Sequence, residues 1–107
     1  MEFTIRKSSM QWSDALARYA ERRVYNGLDR MRDRVRRVII RFADVNGPRG
    51  GRDKHCLVSV RLASGEQIRV NALDDCPYRA IDGAVVRMKR MVTERRERRR
   101  DLRRRAS

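Results

Sequence analysis

The sequence predicts an α+β fold in which a four-stranded sheet carries two helices packed on one face, with the element order β-α-β-β-β-α. Three observations lead to this fold class. Four segments alternate apolar and polar residues, as half-buried strands do. Two longer segments repeat apolar residues at helical spacing. Turn residues separate the segments, and a length of 107 residues allows one small domain.

The first three elements form a β-α-β unit. Residues 2–6 alternate and predict a short strand with Phe3 and Ile5 on one face. Ser13 is a good helix start, because its side-chain oxygen can accept from a free backbone amide, and apolar spacing extends that helix to about Met31. Residues 38–45 are rich in β-branched and aromatic residues and predict a second strand. A right-handed crossover would make the two strands parallel.

The remaining elements are an antiparallel meander and a closing helix. Residues 55–62 and 67–72 alternate on either side of Ser64-Gly65, which predicts a tight hairpin. Pro77 fits the first turn of the last helix, where its missing N–H costs nothing. The strand residues predicted to face the core are Val38, Ile40, Phe42, Cys56, Val58, Val60, Leu62, Ile68, Val70 and Ala72. The opposite sheet face is predicted to be solvated and carries Arg41, Arg61, Arg69 and Asn71.

The chain has a large cationic surplus, with 28 Lys and Arg against 14 Asp and Glu and a net charge of +14. Such a surplus repels itself in the folded state unless an anion neutralises it. Nucleic acid is the commonest anion of this kind, because neutralising phosphates releases counterions. A membrane surface is the weaker alternative, since the arginine-rich end has no apolar face to insert. The charge therefore indicates a nucleic-acid-binding protein with no membrane partner.

The closing helix has two different halves. Val85, Met88 and Val92 recur at helical spacing, which indicates that the first half packs on the core. From Arg95 onward the sequence is nearly pure arginine and cannot bury a face. We therefore predict a single domain over residues 1–94 and a basic tail over residues 95–107.

Residues 46–53 make up the one clear loop, which is dense in turn residues. Its glycines do not match a known phosphate-binding sequence motif, and no predicted helix follows them directly. They could still let the backbone approach a phosphate, with Arg49, Arg52 and the following Lys54 supplying charge-assisted contacts. A flexible turn with incidental charge is an equally good interpretation.

The sequence does not support a catalytic or metal site. The only histidine, His55, falls on the solvent face of its strand, whereas Cys56 beside it points into the core. Asp74, Asp75 and Cys76 lack the spaced Cys and His sets of zinc sites and fit a helix cap instead. We therefore expect no enzyme activity, no cofactor and no metal.

We expect a cytoplasmic protein. Residues 1–4 lack the basic and apolar regions of a signal peptide, and no apolar run approaches the roughly 20 residues that span a bilayer. Two cysteines are too few for a disulfide framework.

Trp12, Tyr19 and Tyr78 lie near apolar stripes, which favours core packing over base stacking. Any nucleic acid would then be recognised by shape and phosphate.

Tyr78-x-Ala80-Ile81-Asp82, followed by apolar residues at helical spacing and a basic C-terminal half, resembles the last helix of the bacterial ribosome hibernation-promoting factor family. That family includes the ribosome-associated inhibitor (protein Y) group. The resemblance extends over nearly the whole chain. Residues 13–16 are similar to the family's first-helix start, Arg23 falls where the family often has lysine, and Gly27 stands where it often has leucine. Residues 44–51 resemble a loop of short proteobacterial members.

The resemblance implies a fold like the double-stranded-RNA-binding domain. It also implies binding to the rRNA of the small ribosomal subunit in the mRNA–tRNA channel, which would silence translation in stressed or stationary-phase cells. The family's contacts carry over by position to Arg23, Arg87 and Arg90. The full set of predicted RNA-binding residues is Arg18, Arg22, Arg23, Arg49, Arg52, Lys54, Arg87, Lys89, Arg90, Arg95, Arg98 and Arg99. We expect the protein to be a monomer. The resemblance is to the short members, which lack the second domain by which long members pair ribosomes, so any pairing of ribosomes would need a second hibernation factor.

Two other functions stay open from the sequence alone. One is a general RNA- or DNA-binding module of the same fold without ribosome preference, which would bind ribosomes and arbitrary duplex RNA equally well. The other is a small enzyme or metal protein that uses His55 and the cysteines, which substitution of those residues would reveal.

Overall fold

The computed structural model describes residues 1–6, 13–44 and 54–106. Its elements are β1 (Glu2–Arg6), α1 (Asp14–Gly27), a 3-10 turn (Arg32–Arg34), β2 (Val35–Asp44), β3 (Lys54–Leu62), β4 (Gln67–Asp74) and α2 (Pro77–Ala106). The predicted β-α-β-β-β-α order and the α+β class are confirmed.

The four strands form one mixed sheet in the order β1-β2-β3-β4. β1 pairs in parallel with β2, with Phe3 opposite Val38, and the β2–β3 and β3–β4 pairs are antiparallel. Gly65 occupies the left-handed region at φ 94° in the turn between β3 and β4, a conformation that glycine adopts without a Cβ clash. The parallel β1–β2 pair and the antiparallel meander therefore both form as predicted.

One core lies between the sheet and the two helices. Every strand residue predicted to face inward is buried, and so are Leu16, Ala20 and Val24 of α1. From α2 the core receives Ala80, Ile81, Ala84, Val85, Met88 and Val92. Burying a large aliphatic or aromatic side chain stabilises a fold by about 1.5–3 kcal/mol. The apolar faces that alternation marks in the strands and that helical spacing marks in the helices therefore pack together on one side of the sheet.

Helix α1 is shorter than the apolar spacing indicated, because it ends at Gly27 and not near Met31. A Cβ at Gly27 would lie 3.1 Å from Val85 Cγ1, so α1 and α2 pack closely against each other there. Leu28 and Met31 are still buried, but they reach the core from the turn after the helix. The apolar spacing continued past the helix because these turn residues pack against the same core.

Strand β2 begins at Val35, three residues before the predicted start. Val35 is buried, but the pairing with β3 shifts between Val35 and Arg37. This irregularity gives a buried residue followed by two exposed arginines, Arg36 and Arg37. Strict alternation is lost there, and the start of the strand could not be found from the pattern.

Helix α2 runs without a break for 30 residues and continues through the predicted boundary between residues 94 and 95. Before its first turn, the Asp74 carboxylate accepts a hydrogen bond from the Cys76 amide at 3.0 Å. The molecule measures 56 × 23 × 19 Å along its principal axes. Among the described residues, no helix is both long and apolar enough to cross a membrane.

Candidate nucleic-acid interface

Two cations cover the outer face of α1. Arg18 and Arg22 are exposed and lie opposite the buried stripe that includes Ala20. The Arg22 guanidinium lies 5.8 Å from the centre of the Tyr19 ring, a distance at which the ring attracts a cation. Arg18 has no partner within the part of the chain that the structure describes. Both side chains can therefore reach a phosphate.

Arg23 lies between the two helices and is held by an acid. Its Nε donates to Asp82 Oδ1 of α2 at 2.9 Å, and both side chains are about a third exposed, at 36% and 38%. The same oxygen accepts a hydrogen bond from the Tyr19 hydroxyl at 2.6 Å. This bond to Asp82, followed by burial, raises the pKa of Tyr19. Arg23 thus joins α1 to α2 and presents a partly neutralised charge.

The aromatic residues near this contact pack against each other. Tyr19 and Tyr78 meet edge to face, with ring centres 4.9 Å apart. Such a pair stabilises the helix contact beyond the area that it buries. Trp12 lies outside the described residues. Tyr19 packs against the core, as the sequence indicated, whereas Tyr78 is 39% exposed and contacts the core edge through Tyr19.

The first half of α2 has both paired and unpaired cations. Arg87 donates to the Asn71 carbonyl of the edge strand β4. Arg79 is held by Asp74 at 3.3 Å and by Asp75 at 3.0 Å. Lys89 and Arg90 are exposed, and neither has a partner among the described residues. The two unpaired side chains are the strongest candidates for phosphate contacts on this half of the helix.

The arginine-rich half of α2 begins in contact with the body of the protein. Arg95 forms an ion pair with Glu66, next to the β3–β4 turn, and its side chain is 30% exposed. Arg96 is also half-buried. Arg98 and Arg99 are exposed, and neither has a partner in the described part of the chain. The predicted tail is therefore anchored at its first residue.

Charges are segregated around this half of the helix. Glu94, Glu97 and Asp101 follow one another at spacings of three and four, so they share one face. Arg99 and Arg103 follow Val92 at spacings of seven and four, so they continue the core-facing stripe beyond the end of the sheet. Arg99 and Arg103 therefore face the body side of the helix, and the three acids face away from it.

An open cleft of about 570 Å³ lies between this half of the helix and the end of the body. Its walls include Arg34 from the 3-10 turn and Glu66 from the β3–β4 turn. The helix contributes Val92, Arg95, Arg96, Arg98, Arg99, Leu102 and Arg103. Guanidinium groups bind phosphate oxygens in a bidentate manner, so the cleft suits a nucleic-acid backbone.

Of the three cations in the predicted loop site, only Lys54 lies within the described residues. Arg49 and Arg52 lie outside the described residues. Lys54 forms an ion pair with Asp44 at 2.7 Å, and the two side chains are 22% and 26% exposed. Lys54 is therefore already neutralised by an acid.

Little in the described residues suits catalysis. They contain no group of three or more His, Cys, Asp or Glu side chains that could hold a metal. Cys56 is fully buried, and burial raises the pKa of its thiol to about 12. A buried thiol in apolar surroundings is inert. His55 lies on the other face of the same strand, opposite Leu73 of β4.

Three features of this surface were missed from the sequence. Asp82 belongs to the Tyr78-x-Ala80-Ile81-Asp82 motif, but its bonds to Tyr19 and Arg23 depend on helix packing that sequence spacing does not show. The cleft brings Arg34 next to residues more than sixty positions later. The acidic stripe of Glu94, Glu97 and Asp101 could have been found, because helical spacing alone places it opposite Arg99 and Arg103.

Comparison with known proteins agrees with this geometry. The ribosomal subunit interface protein from Coxiella burnetii superposes with a TM-score of 0.76 at 18% identity, covering 91% of this chain and 99% of that one. The N-terminal domain of Thermus thermophilus Protein Y superposes with a TM-score of 0.69 at 26% identity, covering 88% and 98%. No curated protein matches the sequence. The family described as sigma 54 modulation protein / S30EA ribosomal protein matches residues 3–100. The resemblance seen in Tyr78-x-Ala80-Ile81-Asp82 is confirmed, and the chain belongs to this family of ribosome-associated hibernation proteins.

Proposed function

We propose that this protein is a non-enzymatic translation inhibitor that binds small-subunit rRNA in the channel used by mRNA and tRNA. The observation that carries the proposal is the family match over residues 3–100. The name of the Coxiella relative, a ribosomal subunit interface protein, supports the ribosome as the partner. A ribosome-associated family also implies a cytoplasmic location.

The outer face of the two helices supplies the first set of contacts in this proposal. Arg18 and Arg22 of α1 and Lys89 and Arg90 of α2 are exposed cations. RNA helices are recognised mostly through shape, phosphates and 2′-hydroxyls, and base-reading side chains are not needed. The two tyrosines are engaged with each other, which supports binding through phosphates. Inhibition then follows from occupancy, because a bound protein excludes mRNA and tRNA from the same channel.

The cleft beneath the arginine-rich half of α2 supplies the second set. Its arginines, among them Arg99 and Arg103, line the side of the helix that faces the body of the protein, and the side chains of these two are exposed. A nucleic-acid backbone lying in the cleft would be flanked by the helix and by Arg34. If the two sets together neutralise six or more phosphates, affinity should fall by about a thousand-fold between 50 and 200 mM salt on the duplex-DNA scale.

Sedimentation with purified small subunits tests the proposal. At physiological salt the protein should pellet with the subunits, and bound mRNA and tRNA should displace it. A truncation after Thr93 should keep the fold, because the last buried residue of α2 is Val92, but should pellet less. A full-length protein that stays in the supernatant would contradict the proposal.

A general RNA-binding module is the second candidate. It is favoured by the spread of exposed cations over several elements, since phosphate contacts carry no sequence information. Comparable affinity for small subunits and for arbitrary duplex RNA would support it.

Under our first proposal, the protein acts as a monomer, and any pairing of ribosomes requires a second hibernation factor.

A further inference from the structure

The sheet face that points away from the helices carries a second concentration of positive charge. Alternation and register place five arginines on it, whereas Glu2 is the one acid among the described strand residues that share this face. The arginines are Arg6, Arg37, Arg41, Arg61 and Arg69. Glu2 is already bound to Arg37 at 3.0 Å. Among the described strand residues, this face therefore keeps a net positive charge after the Glu2–Arg37 pair is formed.

Three of these arginines surround one shallow pocket. Arg6, Arg41 and Arg69 line a cavity of about 210 Å³ together with Ile39, Leu57, Ser59 and Gln67. The three arginines are exposed, and Ile39 and Leu57 are half-buried. None of the three arginines has an acidic partner in the described part of the chain. The pocket thus has guanidinium walls above a partly apolar floor.

Repulsion between arginines on neighbouring strands destabilises the folded protein. Arg6 and Arg41 are directly opposite in the parallel β1–β2 pair, where strands lie about 4.8 Å apart. Like charges at such separations repel, even in water. Arg37 and Arg61 are opposite in the β2–β3 pair, although Glu2 offsets Arg37. An anion bound over the pocket would remove the repulsion between Arg6 and Arg41.

We propose that this open sheet face is a second binding surface for RNA backbone phosphates, so that the protein contacts two RNA segments from opposite sides. The choice of RNA among polyanions follows from the proposed function. The surface is separate from the helix face, because the core and both layers of the fold lie between them. Its ligand class is a phosphodiester backbone, which planar guanidinium groups bind in a bidentate manner.

The test counts short RNA duplexes, of about 16 base pairs, bound per protein by native mass spectrometry. The sheet variant is Arg41→Gln with Arg69→Gln, and the helix variant is Arg18→Gln with Arg90→Gln. The control, Arg32→Gln with Arg79→Gln, removes the same charge from arginines that already bind Asp29 and Asp75. The sheet variant should bind one duplex fewer than the wild type and the control. Its thermal midpoint at low salt should equal or exceed that of the wild type, which shows that it folds.

The salt dependence of duplex binding gives a second measure. Loss of two phosphate contacts should reduce the slope of log K against log salt by about 2 in the sheet variant. A sheet variant that matches the control in both stoichiometry and slope overturns the inference. So does a sheet face that binds anionic vesicles but not the duplex. If the wild type fails to pellet with ribosomes but binds duplexes on both faces, the proposed function fails and this inference stands.

Discussion

Asp82 of α2 accepts a hydrogen bond from Arg23 of α1, with 2.9 Å between Oδ1 and Nε. The same oxygen accepts from the Tyr19 hydroxyl. The aspartate that completes the Tyr78-x-Ala80-Ile81-Asp82 motif is therefore a contact between helices. It fixes the spacing of α1 and α2, and with it the spacing of the cations on their outer faces.

Replacing Asp82 with alanine should destabilise the fold. Hydrogen bonds to charged groups contribute about 1.5–3 kcal/mol, and partial exposure lowers that value, so we expect a loss of about 1–2 kcal/mol in the free energy of unfolding. Urea denaturation measures it. Because the bond to Asp82 is the main cause of the raised pKa of Tyr19, this phenol should also titrate at lower pH in the variant. An unchanged urea midpoint would contradict the role of Asp82.

Substitution of Gly27 with alanine should cost stability although alanine favours helices. The added Cβ would lie 3.1 Å from Val85 Cγ1, and Val85 is buried and β-branched. Overpacking costs about 1–3 kcal/mol against at most about 1 kcal/mol gained in helix propensity. We expect a net loss of about 1 kcal/mol by urea denaturation. In a Val85→Ala background the same substitution should be neutral or stabilising, and a loss of equal size there would rule out the steric explanation.

Arginines that line the cleft should matter more for RNA binding than their neighbours outside it. Arg99→Gln with Arg103→Gln removes two cleft residues, whereas Arg100→Gln with Arg105→Gln removes the same charge from outside the cleft. We expect the first pair to reduce the salt slope of small-subunit binding by about 2. The second pair should change it by clearly less. Equal effects would mean that the tail acts only through its total charge.

Stability should fall in acid because of Asp74. The Cys76 amide is the main cause that lowers the pKa of Asp74 from 3.8 to about 2. The folded state thus favours the charged carboxylate, which stabilises the protein above about pH 4, and this contribution is lost as the pH falls through about 2. Denaturation of the wild type and of Asp74→Asn from pH 7 to 2 should show a difference in stability that begins to narrow only below about pH 4. A constant difference would contradict the assignment.

The Cys56 thiol should be protected from disulfide reagents until the core around it unfolds locally or globally. It is fully buried, and its pKa is raised to about 12. In a Cys76→Ser variant, which isolates Cys56, a disulfide reagent should react only as fast as the core opens. Added urea should accelerate the reaction in step with unfolding. Reaction at the rate of a free thiol in native buffer would contradict the packing of β3.

Most of the fold could be predicted because the relevant patterns are local. Alternation around Val58 and Val70 and the spacing of Val85 and Met88 identify faces that the structure buries. The end of α1 could not be placed, because Leu28 keeps the apolar spacing while it lies in a turn. A helix and the turn that follows it can both place apolar side chains in the core, so apolar spacing alone does not mark the last helical residue.

The candidate site was predictable in residue type but not in pairing. Arg18, Arg22 and Arg90, which the sequence predicts to bind RNA, are exposed. Arg23 and Lys54 are bound to acids, which lie 59 and 10 positions away in the sequence. Sequence reveals where cations are dense, whereas the acids that neutralise them are brought in by the fold.

Hydroxyl-radical footprinting of small-subunit rRNA tests the central claim most directly. With the wild-type protein bound, we expect protection of the rRNA that lines the mRNA and tRNA channel, and we expect that protection to weaken in the Arg99→Gln, Arg103→Gln variant. Protection confined to rRNA outside the channel, or no protection at concentrations where the protein pellets with the subunit, would contradict it.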